Sequence, residues 1–244
     1  MKAVEINNLT KNFGATIALR GITFSVDVGD IYGLIGPNGA GKTTTFRIIA
    51  GLIPPTSGSI KVFGLNPLID TEKIKNIISY LPEDAGTYRN ITGYEFLKLV
   101  SEIYFSNKEE AEEALEIGIR IANIGNRIYD KMKTYSKGMK RRIQVARVLM
   151  VRPKLAILDE PTSGLDVIHA REVRRVINDV SREFGTTILL SSHNMLEVQD
   201  ICQKVALIHQ GRILVEGLIT DLLEEYSASN LEELFVSLVR GVAR

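Results

Sequence analysis

The chain has 244 residues, and 45% of them are hydrophobic, so it can bury a sizeable core and is not disordered. Its 30 basic and 29 acidic side chains nearly balance, which argues against a dedicated nucleic-acid binder, and we expect no nucleic-acid partner. The single cysteine, Cys202, excludes an internal disulfide and fits a reducing compartment. No signal core or membrane-length apolar run is visible, so we expect a soluble, cytoplasmic protein.

The first seventy residues predict a strand-rich region. Two strands are expected at 3–9 and 21–28, with a turn at Gly29 and Asp30. A short buried strand at 31–36 leads into a helix at 42–52. A further strand at 57–64 completes this part of the chain.

From about Thr71 to Met150 the hydrophobic spacing becomes mainly helical, which predicts an inserted helical subdomain. The helices expected there span 71–78, 93–104, 108–123 and 137–150. Strands then alternate with helices, at 154–160, 167–184, 186–192 and 194–202.

The C-terminal part predicts a hairpin at 204–217, turning at Gln210 and Gly211, and an amphipathic helix at 231–244. Alternation of strands and helices predicts an α/β fold with a mostly parallel sheet, extended by an antiparallel β subdomain and the helical insert. We expect one domain over residues 1–220 and a C-terminal helical tail over 221–244.

A glycine-rich segment follows the strand at 31–36. Gly36, Gly41, Lys42 and Thr43 fit G-x-x-x-x-G-K-[ST], in which backbone N–H groups surround phosphates, lysine reaches them and the hydroxyl binds Mg²⁺. An ordinary glycine-rich turn would not require this lysine and threonine. We therefore expect a bound nucleoside triphosphate, contacted by Gly36, Pro37, Asn38, Gly39, Ala40, Gly41, Lys42, Thr43 and Thr44.

Three further side chains follow two apolar strands. Asp159 and Glu160 end one strand, and His193 follows another, so all three are expected at the carboxyl edge of the sheet. Asp159 suits Mg²⁺, Glu160 suits activation of water, and His193 suits a phosphate contact. The alternatives are a solvated acidic pair and a structural histidine; His169 and His209 show no functional pattern.

The segment "YSKGMKRR", Tyr135–Arg142, predicts a second anion site. Ser136 is a good N-cap for the helix that follows, and Gly138 lies in its first turn. One nucleotide needs only one phosphate-binding loop (P-loop), and the segment 36–44 already supplies it. We therefore expect this helix to meet a nucleotide bound to another chain.

In its motif order the chain resembles the nucleotide-binding subunit of ABC transporters. The motifs that carry the likeness are the P-loop, "LPE" ending at Glu83, the signature "YSKGM", "LAILDE" at 155–160, "SGLD" at 163–166 and His193. The resemblance implies a P-loop NTPase with a RecA-like sheet, which uses ATP and Mg²⁺ and pairs head-to-tail as a homodimer or heterodimer. It also implies a transmembrane permease partner and a peripheral location on the inner face of the cell membrane.

The resemblance also implies roles for individual residues. Phe13 would stack on adenine, although ordinary packing would also explain an aromatic residue there. Lys42, Glu160 and His193 would be catalytic, Thr43, Glu83 and Asp159 would hold the metal, and Ser136, Gly138 and Asp166 would contact nucleotide.

The chain departs from the family pattern at the signature and at Glu83. The family usually has Leu-Ser-Gly-Gly-Gln, so Lys137 adds a cation, which we expect to be solvated together with Lys140, Arg141 and Arg142. Glu83 stands where the family usually has glutamine, and we expect hydrolysis to survive with a steeper dependence on Mg²⁺.

The short motifs and the C-terminal segment look like the ABC-2 type exporter branch. Tyr88, Arg89 and Tyr94, after Glu83, are candidate contacts with the permease, although a plain surface loop is the alternative. A soluble ABC ATPase acting on ribosomes or nucleic acid is a rival, favoured only by the basic cluster at 137–142. A small-molecule P-loop kinase is a further rival, and it leaves the signature helix unexplained.

Overall fold

The fold is that of a computed structural model, in which residues 1–241 are described. The strands are β1 (Lys2–Phe13), β2 (Thr16–Asp27), β3 (Ile31–Ile35), β4 (Ser57–Val62), β5 (Ile78–Leu81), β6 (Leu155–Leu158), β7 (Thr187–Ser192), β8 (Lys204–His209) and β9 (Arg212–Leu218). The helices are α1 (Lys42–Ile49), α2 (Thr71–Lys75), α3 (Gly93–Tyr104), α4 (Lys108–Ala122), α5 (Lys137–Leu149), α6 (Val167–Phe184), α7 (Met195–Gln199), α8 (Ile219–Glu225) and α9 (Leu231–Arg240). None of the helices within this range is both long and apolar enough to cross a membrane.

The strands form two sheets. The larger sheet has the order β5-β6-β7-β3-β8-β9, and all of its neighbours are parallel except the hairpin β8-β9. The smaller sheet, β2-β1-β4, is antiparallel. The predicted α/β class, mostly parallel sheet and antiparallel β subdomain are therefore confirmed.

The central strands of the larger sheet separate two hydrophobic cores. In β6, Leu155 and Ile157 pack with α1 and the smaller sheet, whereas Ala156 and Leu158 pack with the helices on the other face. Because both faces are covered, these strands read in the sequence as continuous apolar runs rather than alternating ones.

Strand β5 corrects the prediction of a helix over 71–78. Helix α2 ends at Lys75, and Ile78 pairs in parallel with Leu155 of β6. Four residues are too few to show a strand period, and the neighbouring helical pattern masked them. The inserted helices therefore begin beyond Leu81, with α3, α4 and α5.

The C-terminal helices pack against the body of the molecule. The sequence reading missed α8, and α9 ends at Arg240, where Gly241 caps it with a φ of +68°. Both helices bury leucines, such as Leu222 and Leu234, in one of the two cores. The last three residues of the predicted tail, 242–244, lie outside the described residues.

The strand order fixes the position of the predicted motifs. Strands β5, β6, β7 and β3 are neighbours and point the same way, so their carboxyl ends share one sheet edge. Glu83, Asp159, His193 and Gly36 follow those four strands within a few residues.

Candidate active site

The loop between β3 and α1 forms a glycine-rich cradle at this edge. A Cβ on Gly36 would lie 2.0 Å from the carbonyl oxygen of Ile208, and a Cβ on Gly41 would lie 2.7 Å from Cδ2 of Leu19. Gly41 also has a φ of +113°, which L side chains rarely adopt. Both positions therefore require glycine, and the loop turns directly into the N-terminus of α1.

A cavity of about 230 Å³ opens over this loop. It is lined by residues 38–44 together with Ala18, Glu83 and Glu160. The first N–H groups of a helix have no partner within the helix, and they attract anions. The cavity therefore joins the glycine-rich loop to two carboxylates from distant parts of the chain.

Lys42 is buried at the base of this arrangement. Its Nζ donates hydrogen bonds to the carbonyl oxygens of Gly36 (2.6 Å) and Pro37 (3.3 Å). The same Nζ lies 3.3 Å from Oε1 of Glu160, and both side chains are less than 10% exposed. Their attraction is weakly screened, so the lysine and the carboxylate hold each other next to the cavity.

Glu160 is held in an uncommon backbone conformation. Its φ is +51°, which costs a residue other than glycine about 1–3 kcal/mol. Its N–H donates to Oγ of Ser191 (2.9 Å), and its Oε2 lies 2.8 Å from Nδ1 of His193. Oε1 is buried and accepts no hydrogen bond from the described residues, because its contact with Lys42 has ion-pair distance without hydrogen-bond geometry. One carboxylate oxygen thus keeps free accepting capacity.

Asp159 is fully buried beside Glu160. Its Oδ1 accepts a 2.6 Å hydrogen bond from Oγ of Ser191, and its Oδ2 accepts a 3.4 Å one from the hydroxyl of Tyr80. Burial and the charge of Asp159 raise the pKa of Tyr80 to about 12, so Tyr80 remains a donor at neutral pH. Sequence reasoning missed Ser191 and Tyr80, since both stand within apolar strands and resemble ordinary strand residues.

His193 and Glu83 lie near Glu160 but are more open to solvent. The imidazole of His193 is about half exposed, and its contact with Glu160 confirms the expected shared sheet edge. Glu83 is exposed and reaches the same cavity from the segment after β5. A phosphate contact of His193 and a metal contact of Glu83 remain predictions.

The second predicted anion site lies elsewhere on the surface. Oγ of Ser136 accepts a 3.2 Å hydrogen bond from the N–H of Met139, which confirms Ser136 as the N-cap of α5. A Cβ on Gly138 would lie 3.1 Å from the ring of His169, and His169 hydrogen-bonds the N-cap of α6, Asp166. Those hydrogen bonds lower the pKa of Asp166. Ser136, Gly138 and Asp166 are absent from the described lining of the P-loop cavity.

The basic cluster after the signature corrects a prediction. Arg141 and Arg142 are 8% and 9% exposed, so they are buried rather than solvated. Lys137 is exposed, yet its Nζ lies against Gly164, where a Cβ would be 1.9 Å away. Long arginine side chains can be buried when carbonyl oxygens accept from their N–H groups, and the sequence pattern did not reveal those acceptors.

Phe13 stands apart from the cavity. Its ring is half exposed, and Nζ of Lys11 lies 4.9 Å from the ring centroid. It does not belong to the described lining of the P-loop cavity, so adenine stacking remains a prediction.

The candidate permease contacts form a partly aromatic surface. Tyr88 packs on Phe96 with ring centroids 5.7 Å apart, and Tyr94 packs on Tyr129 at 5.4 Å. Arg89 is exposed, as is Tyr88. Their role as contacts remains a prediction.

Known proteins are similar to this chain both in sequence and in fold. The family described as "ABC transporter" matches residues 19–163. The linearmycin resistance ATP-binding protein LnrL of Bacillus subtilis (strain 168) is 35% identical over 248 residues, covering 98% of this chain and 79% of that protein. The bacitracin transport ATP-binding protein BcrA of Bacillus licheniformis is 40% identical over 214 residues, covering 87% of this chain and 69% of that protein. The chain belongs to the ABC transporter family.

A solved structure of an ATP-binding subunit of an ABC transporter also matches this ABC protein. Its TM-score is 0.86 at 30% identity, over 97% of this chain and 99% of that one. The predicted family, ATP-binding subunit function and ATPase activity are confirmed. The comparisons give no support to the alternative of action on ribosomes or nucleic acid.

Proposed function

We propose that this ABC subunit binds ATP over residues 36–44 and hydrolyses it with Glu160 as the general base. The observation that carries the proposal is the position of the Glu160 carboxylate. It lines the P-loop cavity, one of its oxygens contacts His193, and the other keeps free accepting capacity beside Lys42. A base must lie within hydrogen-bond reach of the water that it activates, and this oxygen is available for that.

The residues at the cavity fit a magnesium ion bound together with nucleotide. Thr43 and Glu83 line the cavity, and Asp159 is buried next to Glu160. All three supply oxygen atoms, which Mg²⁺ prefers, and Mg²⁺ usually takes one or two carboxylates plus phosphate and water. Residues 1–241 contain no cluster of three or more histidine, cysteine or acidic side chains that could hold a metal alone. When bound, the ion supplies charge neutralisation at the phosphates.

The chain's own residues then perform three tasks. Lys42 holds the phosphates by its charge, as does the N-terminus of α1. Glu160 takes a proton from the attacking water, and His193 orients the carboxylate through the 2.8 Å contact. Ser191 fixes the backbone of Glu160 and the side chain of Asp159 together.

A second copy, or a related subunit, completes the site in this proposal. Ser136, Gly138 and Asp166 lie outside the P-loop cavity of their own chain, which suits a nucleotide held by a partner. Head-to-tail pairing would bring the N-terminus of α5 to the partner's phosphates. Closure of the two chains around ATP, and reopening after hydrolysis, would drive the permease.

The proposed transport direction is export, of the ABC-2 type. The names of the relatives LnrL and BcrA refer to linearmycin resistance and bacitracin transport, and the link to resistance supports export. The chain would lie on the inner face of the cell membrane, with Tyr88, Arg89 and Tyr94 facing the permease. Phe13 would contact adenine.

Hydrolysis by a Glu160→Gln protein tests the proposal. Because the amide cannot accept the proton, we expect ATP to bind normally while steady-state hydrolysis falls by at least about 100-fold. The exposed Glu102→Gln substitution is the matched control and should keep the wild-type rate. If Glu160→Gln hydrolyses ATP within about twofold of wild type, Glu160 is not the base.

A further inference from the structure

Arg141 connects two loops that are far apart in the sequence. Its guanidinium, on a side chain that is 8% exposed, donates to five backbone carbonyl oxygens. These are the carbonyls of Pro82 (3.3 Å), Glu83 (3.1 Å), Asp159 (2.8 Å), Glu160 (2.6 Å) and Pro161 (2.9 Å). One side chain therefore holds the segment after β5 and the segment after β6 together.

The geometry uses what is specific to arginine. The guanidinium is planar, permanently charged and carries five N–H donors in a fixed fork, whereas a lysine ammonium has three donors at one point. Burial lowers the pKa of Arg141 and the nearby carboxylates oppose that shift, with Asp159 and Glu83 contributing most. Arg141 keeps its charge at neutral pH.

The two loops carry the side chains assigned to metal binding and catalysis. Glu83, Asp159 and Glu160 belong to them, and Arg141 contacts only their backbone carbonyls. Arg141 therefore affects these carboxylates by holding the backbone that positions them, and this role needs no contact with water or phosphate.

Arg141 also shares a helix with the second anion site. Ser136 caps α5, and Arg141 lies five residues further along, about 7.5 Å along the helix axis. Rigid secondary elements can carry such coupling, so a displacement of the N-terminus of this 13-residue helix would also displace Arg141. Arg141 in turn contacts the two segments of its own chain that carry Glu83, Asp159 and Glu160, which we call the carboxylate loops.

We propose that Arg141 is a positioning residue that couples the two nucleotide sites of the dimer. Contact of Ser136 with the partner's nucleotide sets the position of α5. Because Arg141 moves with α5, it shifts the backbone that carries Glu83, Asp159 and Glu160 in its own site. This inference rests on the proposed two-chain site. Each chain thereby adjusts its own carboxylates according to the nucleotide that the other chain holds.

The neighbouring Arg142 provides a matched control. It is equally buried and lies on the same helix, but it donates to Glu172 (2.8 Å) and to the carbonyl of Asn123. Replacing Arg142 removes a buried guanidinium without touching either carboxylate loop.

The test compares wild type, Arg141→Lys and Arg142→Lys in ATP hydrolysis as a function of ATP and of Mg²⁺. We expect wild type to show a Hill coefficient above about 1.5 for ATP, and Arg141→Lys to fall to about 1 with a kcat at least about tenfold lower. The half-saturating Mg²⁺ concentration should rise in the same variant. Arg142→Lys should keep the wild-type Hill coefficient and Mg²⁺ titration, even where its melting temperature falls.

Three outcomes would overturn the coupling. The first is an active wild type with a Hill coefficient of 1, and the second is an Arg141→Lys protein that loses melting temperature while keeping its Hill coefficient. A further variant, Arg141→Gln, retains an amide donor. The third outcome is that both Arg141 variants fail to fold while Arg142→Lys folds, which would show that Arg141 serves stability alone. A wild type without any ATP hydrolysis would instead refute the proposed function, so the two failures are distinguishable.

Discussion

At Ser191 a single hydroxyl group serves two acidic residues. It accepts from the N–H of Glu160 and donates to Oδ1 of Asp159, with all three residues buried. The uncommon backbone conformation of Glu160 is thereby tied to the neighbouring strand β7. Among the described residues, the hydroxyl of the adjacent Ser192 hydrogen-bonds only Asn194, within its own turn.

Replacing Ser191 with alanine should therefore damage both stability and hydrolysis. A buried carboxylate oxygen and a buried N–H would lose their partner, which destabilises the fold by about 1–3 kcal/mol. We expect ATP hydrolysis to fall at least about tenfold, because Glu160 loses its anchor. Urea unfolding and steady-state hydrolysis measure the two effects. Ser192→Ala is the control, and equal effects of the two substitutions would contradict the assigned role of Ser191.

Glu83 permits a prediction about the metal. A carboxylate is a stronger ligand for Mg²⁺ than an amide, so Glu83→Gln should keep hydrolysis while raising the half-saturating Mg²⁺ concentration about two- to tenfold. Asp84→Asn is the control, since Asp84 lies next to Glu83 but outside the P-loop cavity. A Mg²⁺ titration unchanged by Glu83→Gln would exclude this residue as a ligand.

At the level of residues, the sequence predicts side chains that belong to motifs and misses those that support them. Lys42 and Glu160 were predicted because glycine spacing and an acidic pair after an apolar strand are informative by themselves. Ser191, Tyr80 and Arg141 act through backbone atoms and buried hydrogen bonds. They belong to two strands and a helix that only the folded chain brings next to the acidic pair, so no local pattern indicates them.

Among the elements, Lys204 joins the two sheets. Lys204 is the first residue of β8. Its Nζ lies 2.8 Å from Oδ2 of Asp27, which ends β2, and 2.9 Å from Oδ2 of Asp30, which precedes β3. Lys2 of β1 also contacts Asp27, at 3.1 Å. The hydrogen bond from Lys204 is the main cause that lowers the pKa of Asp27, and the bond to Asp27 is the main cause that raises the pKa of Lys204.

The pH dependence of stability follows from these two shifts. Asp27 contributes above its ordinary pKa of 3.8, and its contribution is lost as the pH falls through the lowered value. Lys204 contributes below its ordinary pKa of 10.5, and its contribution is lost as the pH rises through the raised value. Lys204→Met should therefore cost about 1 kcal/mol or less between about pH 5 and pH 9, because the groups are partly exposed.

Thermal unfolding across the pH range measures this difference. The deficit of Lys204→Met relative to wild type should shrink as the pH falls below 3.8 and passes through the lowered pKa of Asp27. The exposed Lys108→Met substitution is the control, as its contact with Glu112 is a surface pair at 3.7 Å. A deficit that stays constant down to about pH 2 would show that Lys204 acts by packing instead.

Helices and strands were predicted correctly where they were long enough to show a repeating hydrophobic pattern. Helices α4 and α6 have 15 and 18 residues and clear capping side chains, and both were predicted. Strand β5, with four residues, was absorbed into a predicted helix. Its identity depends on pairing with β6, which is a contact between segments more than seventy residues apart.

At the scale of the whole molecule, one chain presents two separate half-sites. The P-loop cavity with its carboxylates is one, and the N-termini of α5 and α6 form the other. Glycine spacing predicted the P-loop and a capping pattern predicted the N-terminus of α5, whereas the roles of Glu83 and Asp166 were implied by the resemblance to ABC subunits. The sequence also predicted that a second chain would be needed to unite them, and the assembly itself stays a proposal.

Light scattering on the Glu160→Gln protein tests that assembly. Because hydrolysis is blocked, we expect ATP with Mg²⁺ to convert monomers into dimers, and a Lys42→Ala, Glu160→Gln double variant to remain monomeric. A membrane pull-down with the ATP-bound dimer should capture a polytopic protein. A Glu160→Gln protein that is monomeric at saturating ATP would contradict the two-chain site.

The insertion between β5 and β6 has a consequence for evolution. The chain leaves the sheet at Leu81 and returns at Leu155, and those two strands are neighbours, so the helices between them can diversify without disturbing the strands that precede and follow the P-loop. If the insertion contacts the membrane partner as proposed, a lineage could acquire a new partner while inheriting the P-loop, Asp159, Glu160 and His193 unchanged. The exceptions include Glu83 and Ser136, which lie inside the exchangeable segment and belong to the proposed site, and Arg141, which lies there too and holds carbonyls outside it. Any transplanted segment must bring a side chain that meets those same oxygens.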